Sequence, residues 1–414
     1  MSRRFVASWL VRVLVGVFAI SQAVAAQEKI TLTLANIWGG TRIPLMERVI
    51  EEFEAKYPWI EVQNFVGGQD MLDAQLIAIA AGSPPDVLMV DRLRLLEYVS
   101  QDLLLPLDPF IAQSGLDLGI FFPGERALSQ LNGVTYVLPM PTASLSLLYY
   151  NRDIFSRRGL DPDAPPQTFN DFSRTALLLQ EIDGNGDVRV GGGSIAYFPR
   201  HRMAQLGALN GARVLGGSEL VPNYLDSRMR EAAEWAAEFA ASVVPGGSLA
   251  LGEKAMETHG EWRYFEMKQE SPTTDIGIAL VPHGPDGEYV NLAAAAWSFG
   301  IPRGVAHPYE SYLLIEHLTA SESAQFFAFE QGRPSPVIEF SRDPRYYELN
   351  PFWDVVIQSL ERSIGAPPST VAQKVIDADI KWYGAMLSGA ESPLNALTHL
   401  QNEVEAILAN EGLS

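Results

Sequence analysis

Three strand-like runs alternate with two helical ones at the start of this chain, and that order admits only one kind of sheet. Ile30 to Ile37 alternates apolar and polar residues, the period of a half-buried strand. Met46, Ile50, Phe53 and Tyr57 then recur at helical spacing until Pro58 stops the helix. Ile60 to Val66 reads as a second strand. Met71 to Ala81 reads as an apolar-striped helix closed by Gly82, where a glycine C-cap is expected. Val87 to Val90 is wholly apolar, as suits a strand buried on both faces. A β-α-β-α-β order makes the sheet parallel and lays helices on both faces. Asp91 directly follows the third strand, so connectivity puts it on the same sheet edge as Trp38. Open parallel sheets present their crevice beyond that edge.

The first 26 residues have the three parts of a secretory signal. Arg3 and Arg4 are the basic start, an apolar run ends near Ile20, and Ala23-Val24-Ala25 is a small-residue cleavage pattern. Arg12 interrupts the run, against a membrane span of about 20 apolar residues; the competing reading is an uncleaved N-terminal anchor. There are no cysteines, hence no disulfides and no thiol for a lipid anchor, and the core alone must carry stability. The expectation is an exported protein of a bacterial periplasm. Removing the signal takes out three arginines and no acid, moving the net charge from −20 to about −23. Nucleic acid and anionic membrane surfaces, which need a basic face, are disfavoured as partners.

About 388 residues then remain, beyond the ~250–300 at which one core stops growing, so two domains are expected. Tyr136 to Tyr150 is a long extended segment with Pro139 and Pro141, and Leu292 to Ile301 is a long apolar run ending at Pro302. Both read as chain passages between domains. Ile276 to Val281 is a further apolar strand. Residues 371–409 read as two helices split near Pro393.

The aromatic and acidic side chains at predicted loop ends suggest a binding site for a polyhydroxylated ligand. Sugar C–H faces stack on rings, while hydroxyls pair with carboxylates and guanidinium groups. Trp262, among His259, Gly260, Glu261 and Arg263, stands in too polar a setting for a core tryptophan. Trp38 beside two glycines reads equally as site or as core. Trp297, in an apolar run, suits packing at the passage or ligand contact, and Trp382 heads a helix stripe that suits core packing or a site. Trp59, Trp235 and Trp353 read as core. Asp91 and Glu261 are the candidate acids, against a surface or helix-capping role. Arg333, in Gln331-Gly332-Arg333-Pro334, sits on a loop that can reach the site. Gly39-Gly40-Thr41 before a helix has free N–H groups suited to an anion.

Asp183, Asn185 and Asp187 place oxygen donors at alternate positions, like the first half of a calcium loop. The second half fails, with Val188 where glycine and Ser194 where glutamate would stand. A structural calcium there is the one cofactor the sequence suggests; a plain glycine-rich turn is the simpler account. Gly191-Gly192-Gly193 lacks the Lys-Ser/Thr of a phosphate loop. The six histidines show no HExxH spacing, and no GxSxG elbow is present.

The order of several motifs resembles one family over nearly the whole chain after the signal. They are Ile30 to Gly40 with Phe53-Glu54-Ala55-Lys56-Tyr57-Pro58, Gly82-Ser83-Pro84-Pro85-Asp86-Val87 leading to Asp91, and Leu147 through Phe155. Gly260-Glu261-Trp262 and Trp297-Ser298-Phe299-Gly300-Ile301-Pro302 complete the set. Together they resemble the extracellular solute-binding proteins of carbohydrate ABC importers, the family of maltose-binding protein. The resemblance implies an α/β, two-lobed periplasmic-binding-protein fold, each lobe a mainly parallel sheet flanked by helices, joined by a hinge. It implies residues 27–141 and 293–335 in the first lobe, and 142–292 and 336–414 in the second. It also implies a non-enzymatic, monomeric receptor that captures a sugar between its lobes and delivers it to membrane permease subunits. Asp91 and Arg92 match the family's acidic and basic pair, Trp262 its aromatic platform with Tyr264 two positions on, and Tyr197 and Trp382 aromatic positions lower in the cleft. Ser144 stands where maltose-binding members place an acid, which argues against maltose. Two alternatives stay open: the same role for a phosphorylated polyol, and a periplasmic glycosidase, which needs two acids ~5–9.5 Å apart.

Overall fold

The computed structural model describes residues 29–411 apart from 68–70, 141–144, 197, 199–200, 217–220, 294–296 and 366–368. The export segment expected at residues 1–26 and the candidate residues Ser144 and Tyr197 lie outside the described residues. The opening alternation folds as its periods predict: β1 Ile30–Asn36, α1 Ile43–Lys56, β2 Ile60–Val66, α2 Met71–Ala80 and β3 Val87–Asp91. β1 lies between β2 and β3 and is parallel to both. On α1, Met46, Val49, Ile50 and Phe53 are buried at the three-to-four spacing read in the sequence.

Five later strands complete the two main sheets: β4 Val137–Pro139, β5 Ser146–Asn151, β6 Met256–Gly260, β7 Ile276–Leu280 and β8 Trp297–Gly300. The first sheet has the order β2-β1-β3-β8-β4, with β8 antiparallel to both neighbours. The second has the order β6-β5-β7, and both pairings are antiparallel. The expectation of a mainly parallel sheet in each lobe is therefore corrected for the second. Its cause lies in the connections. The chain leaves β5 for a long helical excursion and returns on β6, so no single crossover helix sets β6 parallel to β5. β6 and β7, joined by the helix Arg263–Glu270, are parallel to each other but flank β5.

β5 shows why its four central residues, Leu147 to Tyr150, are all hydrophobic. Leu148 and Tyr150 face one core with Phe172, Leu206 and Val375, while Leu147 and Tyr149 face another with Ile278, Tyr346 and Trp353. A strand covered on both faces alternates its neighbours without alternating its polarity. The first sheet packs Leu32, Leu34, Met89 and Phe299 against α1 and the helix Pro308–Ala320. Trp235 stacks on Phe169 at 3.9 Å between ring centres, and Trp353 on Tyr346 at 4.2 Å, both as core. Trp59 meets Tyr57 edge-on.

The chain runs from β4 in the first sheet to β5 in the second, where the sequence placed a passage. At the second passage Asn291–Ala293 pairs with Ser363–Gly365, and the chain enters the first sheet at Trp297. A third runs from the helix Glu322–Glu330 through residues 331–337 toward the helix Trp353–Glu361, which packs on the second sheet. The two C-terminal helices are Ala372–Leu387 and Pro393–Asn410, split where Pro393 predicts. A small apolar contact joins the lobes, where Leu93 just after β3 meets Ala372 and Ile376.

Candidate functional site

The end of β1 and the third passage bring the main constellation together. Asn36 Oδ1 accepts the Trp38 backbone N–H at 2.9 Å, which fixes the turn out of β1. The Trp38 ring lies parallel to Phe327, 5.7 Å between centres and 6° between planes, and is 6 % exposed. On it rests the Arg42 guanidinium, 4.7 Å from the ring centre. Arg42 Nε donates to Gln331 Oε1 at 3.0 Å, and Gln331 Nε2 donates to Phe327 O at 2.9 Å. One short path therefore runs from β1 to the loop after the helix Glu322–Glu330.

The same loop reaches the second lobe. Gly332, at φ +60°, lies so close to Phe265 that a Cβ there would stand 2.3 Å from its ring. Arg333 Nε donates to Glu261 Oε1 at 2.9 Å, and the Glu261 side chain is only 1 % exposed. Its other oxygen accepts the Leu145 N–H at 2.9 Å, at the start of β5. Both oxygens of Glu261 thus brace the passages where they meet the second sheet. The Arg333 guanidinium lies 5.6 Å from the Trp262 ring centre. His259 meets the same ring edge-on at 5.5 Å, and burial pushes its imidazole down to about 4, so it is neutral at pH 7.

The Gly260-Glu261-Trp262 sequence has a steric logic. The indole folds back over residue 260, where a Cβ would sit 2.3 Å from Cζ3 and Cη2 of Trp262. Only glycine admits that orientation. Trp262 stays partly exposed while Glu261 is buried, so the motif alternates a structural acid with an accessible ring.

Asp91 and Trp297 are brought side by side as paired residues of β3 and β8. Asp91 Oδ1 accepts the Leu93 N–H at 3.1 Å and caps the turn after β3. Three other candidates occupy packing positions instead. The Arg92 side chain is fully buried and pairs with Glu125, also donating Nη1 to the Glu125 carbonyl at 3.0 Å. Tyr264 is in the second-lobe core beside Leu145, Tyr149 and Met267. Trp382 stacks on His399 at 4.7 Å and donates its indole N–H to Glu403, so it joins the two C-terminal helices. Gly39 is exposed at the turn beside Trp38.

The Asp183 turn is self-sufficient. Oδ1 accepts the Asn185 and Asp187 N–H groups, each at 2.9 Å, and Oδ2 accepts from Arg189 at 2.7 Å. Those backbone hydrogen bonds, then Arg189, hold its carboxyl below the ordinary aspartate range. Arg189 supplies a positive charge at Asp183, so the loop Asp183, Asn185 and Asp187, where the sequence suggested calcium, is held here as a hydrogen-bonded turn. Among the described residues no group of three or more His, Cys, Asp or Glu side chains is placed to hold a metal ion. The Gly191-Gly192-Gly193 run serves packing: Cβ atoms at the first two would lie 2.3 Å from Gly246 N and 2.4 Å from Ala176 O.

Sequence reasoning did not single out Arg42, Phe327 or Phe265. Arg42 carried one usable signal, four residues after Trp38 at the start of a helix. The two phenylalanines had none, since each lies in an ordinary helical stretch.

Two α/β lobes linked by three passages, with paired aromatic and arginine groups where they meet, define a two-lobed binding protein of the periplasmic type. The chain belongs to the bacterial extracellular solute-binding protein family, whose sequence profile matches residues 39–325. An ABC transporter extracellular-binding protein of Pyrococcus horikoshii is 22% identical over 352 residues, 78% of this chain and 76% of the relative. The structure is similar to the sugar-binding protein MalE of Xanthomonas citri, with TM-score 0.78 and 21% identity over 92% of this chain and 98% of that one. It is also similar to an ABC transporter solute-binding protein of Thermotoga lettingae bound with α-D-tagatose. There the TM-score is 0.73 and identity 20%, over 92% of this chain and all of the other.

Proposed function

We propose that this chain is the capture subunit of an ABC importer, exported to the periplasm, which takes a sugar between its lobes and hands it to permease subunits. The carrying observation is the pair of ring-and-guanidinium stacks, Trp38 with Arg42 from the first lobe and Trp262 with Arg333 beside the second. The partly exposed Trp262 ring supplies a face for sugar C–H groups, the buried Trp38 ring backs Arg42, and guanidinium edges supply fixed donors for hydroxyls. Sugar-bound and sugar-binding structural neighbours support the same reading. Binding without hydrolysis is favoured because Glu261 has both oxygens engaged and Asp91 caps a turn, so neither is poised as one of two acids across a glycosidic bond. The reading needs no cofactor.

Isothermal calorimetry against mono-, di- and trisaccharides and polyols tests it, with amino acids and divalent metals as controls. Binding of a saccharide or polyol in the micromolar range is expected. Heat from an amino acid or metal alone, with none from the carbohydrate panel, overturns it.

A further inference from the structure

Charge is the feature of this site that sugar binding alone leaves unexplained. The chain has 50 acids against 30 basic residues, yet two arginines converge on the loop 331–333. Among the described residues one carboxylate, Glu261, pairs within this group, and it is committed to Arg333 and the Leu145 N–H. Among the described residues Arg42 has no carboxylate partner. Among those residues its one hydrogen bond is from Nε to the neutral Gln331 amide, and its guanidinium carbon lies over Trp38, which leaves both Nη groups without an acceptor among them. The side chain is partly buried, so water does not fully replace that acceptor. Burial, then repulsion from Arg333, draws its proton affinity below the ordinary arginine value, against a smaller opposing pull from Glu261.

Stability does not account for this arrangement. Arg42 is the N-cap residue of α1, where the helix dipole disfavours a cation and an oxygen-bearing side chain would do better. A guanidinium held over a ring by one hydrogen bond, with both Nη groups unpaired among the described residues, is pre-organised to accept an anion in two-pronged fashion.

We propose that the site takes a saccharide or polyol that carries an anionic group, a carboxylate or a phosphate, with Arg42, backed by Trp38, as its anchor and Trp262 on the carbon skeleton. The inference rests on the capture function proposed above and names its substrate class. One chemistry, a singly or doubly charged oxyanion on a hydroxylated carbon frame, fits both sources.

Matched pairs separate the cases: digalacturonate with galactobiose, glycerol 3-phosphate with glycerol, and inorganic phosphate alone, each titrated by calorimetry. The acidic member of one pair is expected to bind at least tenfold more tightly than its neutral partner, and to weaken with added salt. The pair that responds distinguishes carboxylate from phosphate. Arg42→Gln should lower affinity for the acidic member at least tenfold and affinity for the neutral member by a clearly smaller factor, so that the acidic preference collapses. Arg42→Lys, which keeps the charge but not the planar fork, should recover only part. Neutral sugars binding more tightly than every acidic probe would overturn this inference and leave the capture function standing. Acidic binding unchanged in a folded Arg42→Gln protein would also overturn it. Silence from every saccharide and polyol in both series would overturn the capture function itself. If Arg42→Gln fails to fold, the wild-type preference and its salt dependence decide.

Discussion

Trp262 concentrates several demands in one side chain. It keeps an exposed face only because residue 260 lacks a Cβ, and its edge is held by His259 and Arg333. Trp262→Ala should therefore lower ligand affinity more than tenfold with the melting temperature unchanged, since a stacked ring contributes on the order of 2 kcal/mol. An unchanged dissociation constant in calorimetry would reduce the ring to packing. Gly260→Ala should act at a distance of two residues, turning the indole away and weakening binding in the same assay. Glu261 poses the opposite case. Arg333→Ala strands a buried carboxylate and should cost about 3–5 kcal/mol in urea unfolding. Adding Glu261→Gln should restore part of that loss, because the stranded charge is gone. A double variant no more stable than Arg333→Ala would place the loss in packing.

Among the elements, the first helix after His201 depends on a remote acid. Asp379, on the helix Ala372–Leu387, accepts the Met203 and Ala204 N–H groups at 2.8 and 3.1 Å and so caps Arg202–Leu209. Burial pushes its carboxyl up to about 7 in spite of those hydrogen bonds. The unfolded chain titrates near 3.9, so between about pH 4 and pH 7 the folded state holds the extra proton. Stability from this group is full below pH 4 and falls as pH rises through 7, by at most about 1.4 kcal/mol per unit. His259 runs the other way between its folded value of about 4 and its ordinary 6.5, gaining stability as pH rises. Asp379→Asn isolates the first effect. From pH 5 to pH 8 the wild type should lose more unfolding free energy than the variant, and parallel pH profiles would exclude Asp379 as the source.

For the whole molecule, the three passages are where the lobes meet, and a ligand that touches both lobes favours the closed arrangement. Trp38 and Arg42 stand on the first lobe, Trp262 and Glu261 on the second. Ligand should shrink the radius of gyration in small-angle scattering, and shrink it less in Trp262→Ala at equal ligand. A wild-type radius unmoved at saturation would mean that closure does not accompany binding. The contact of Leu93 with Ala372 and Ile376 already holds the lobes together beside β3.

The sequence by itself determined the first third of the fold almost residue by residue. Strand and helix periods, Pro58, Gly82 and Pro393 act through neighbours a few positions away, so β1 to β3 and the C-terminal helix pair were legible. It also marked where the chain passes between the two sheets and set Asp91 at the edge it occupies, since connectivity needs no side-chain detail. The partners of the site were decided only in three dimensions. Arg42 meets Gln331 across 289 residues and Arg333 meets Glu261 across 72, and such pairings leave no local pattern. The same reason explains Arg92, Tyr264 and Trp382. Their residue types suit a sugar site, but Glu125, Tyr149 and Glu403 each reach them from a distant segment and turn them to packing. Periodicity records which face of an element is buried; what that face is buried against depends on how the chain returns.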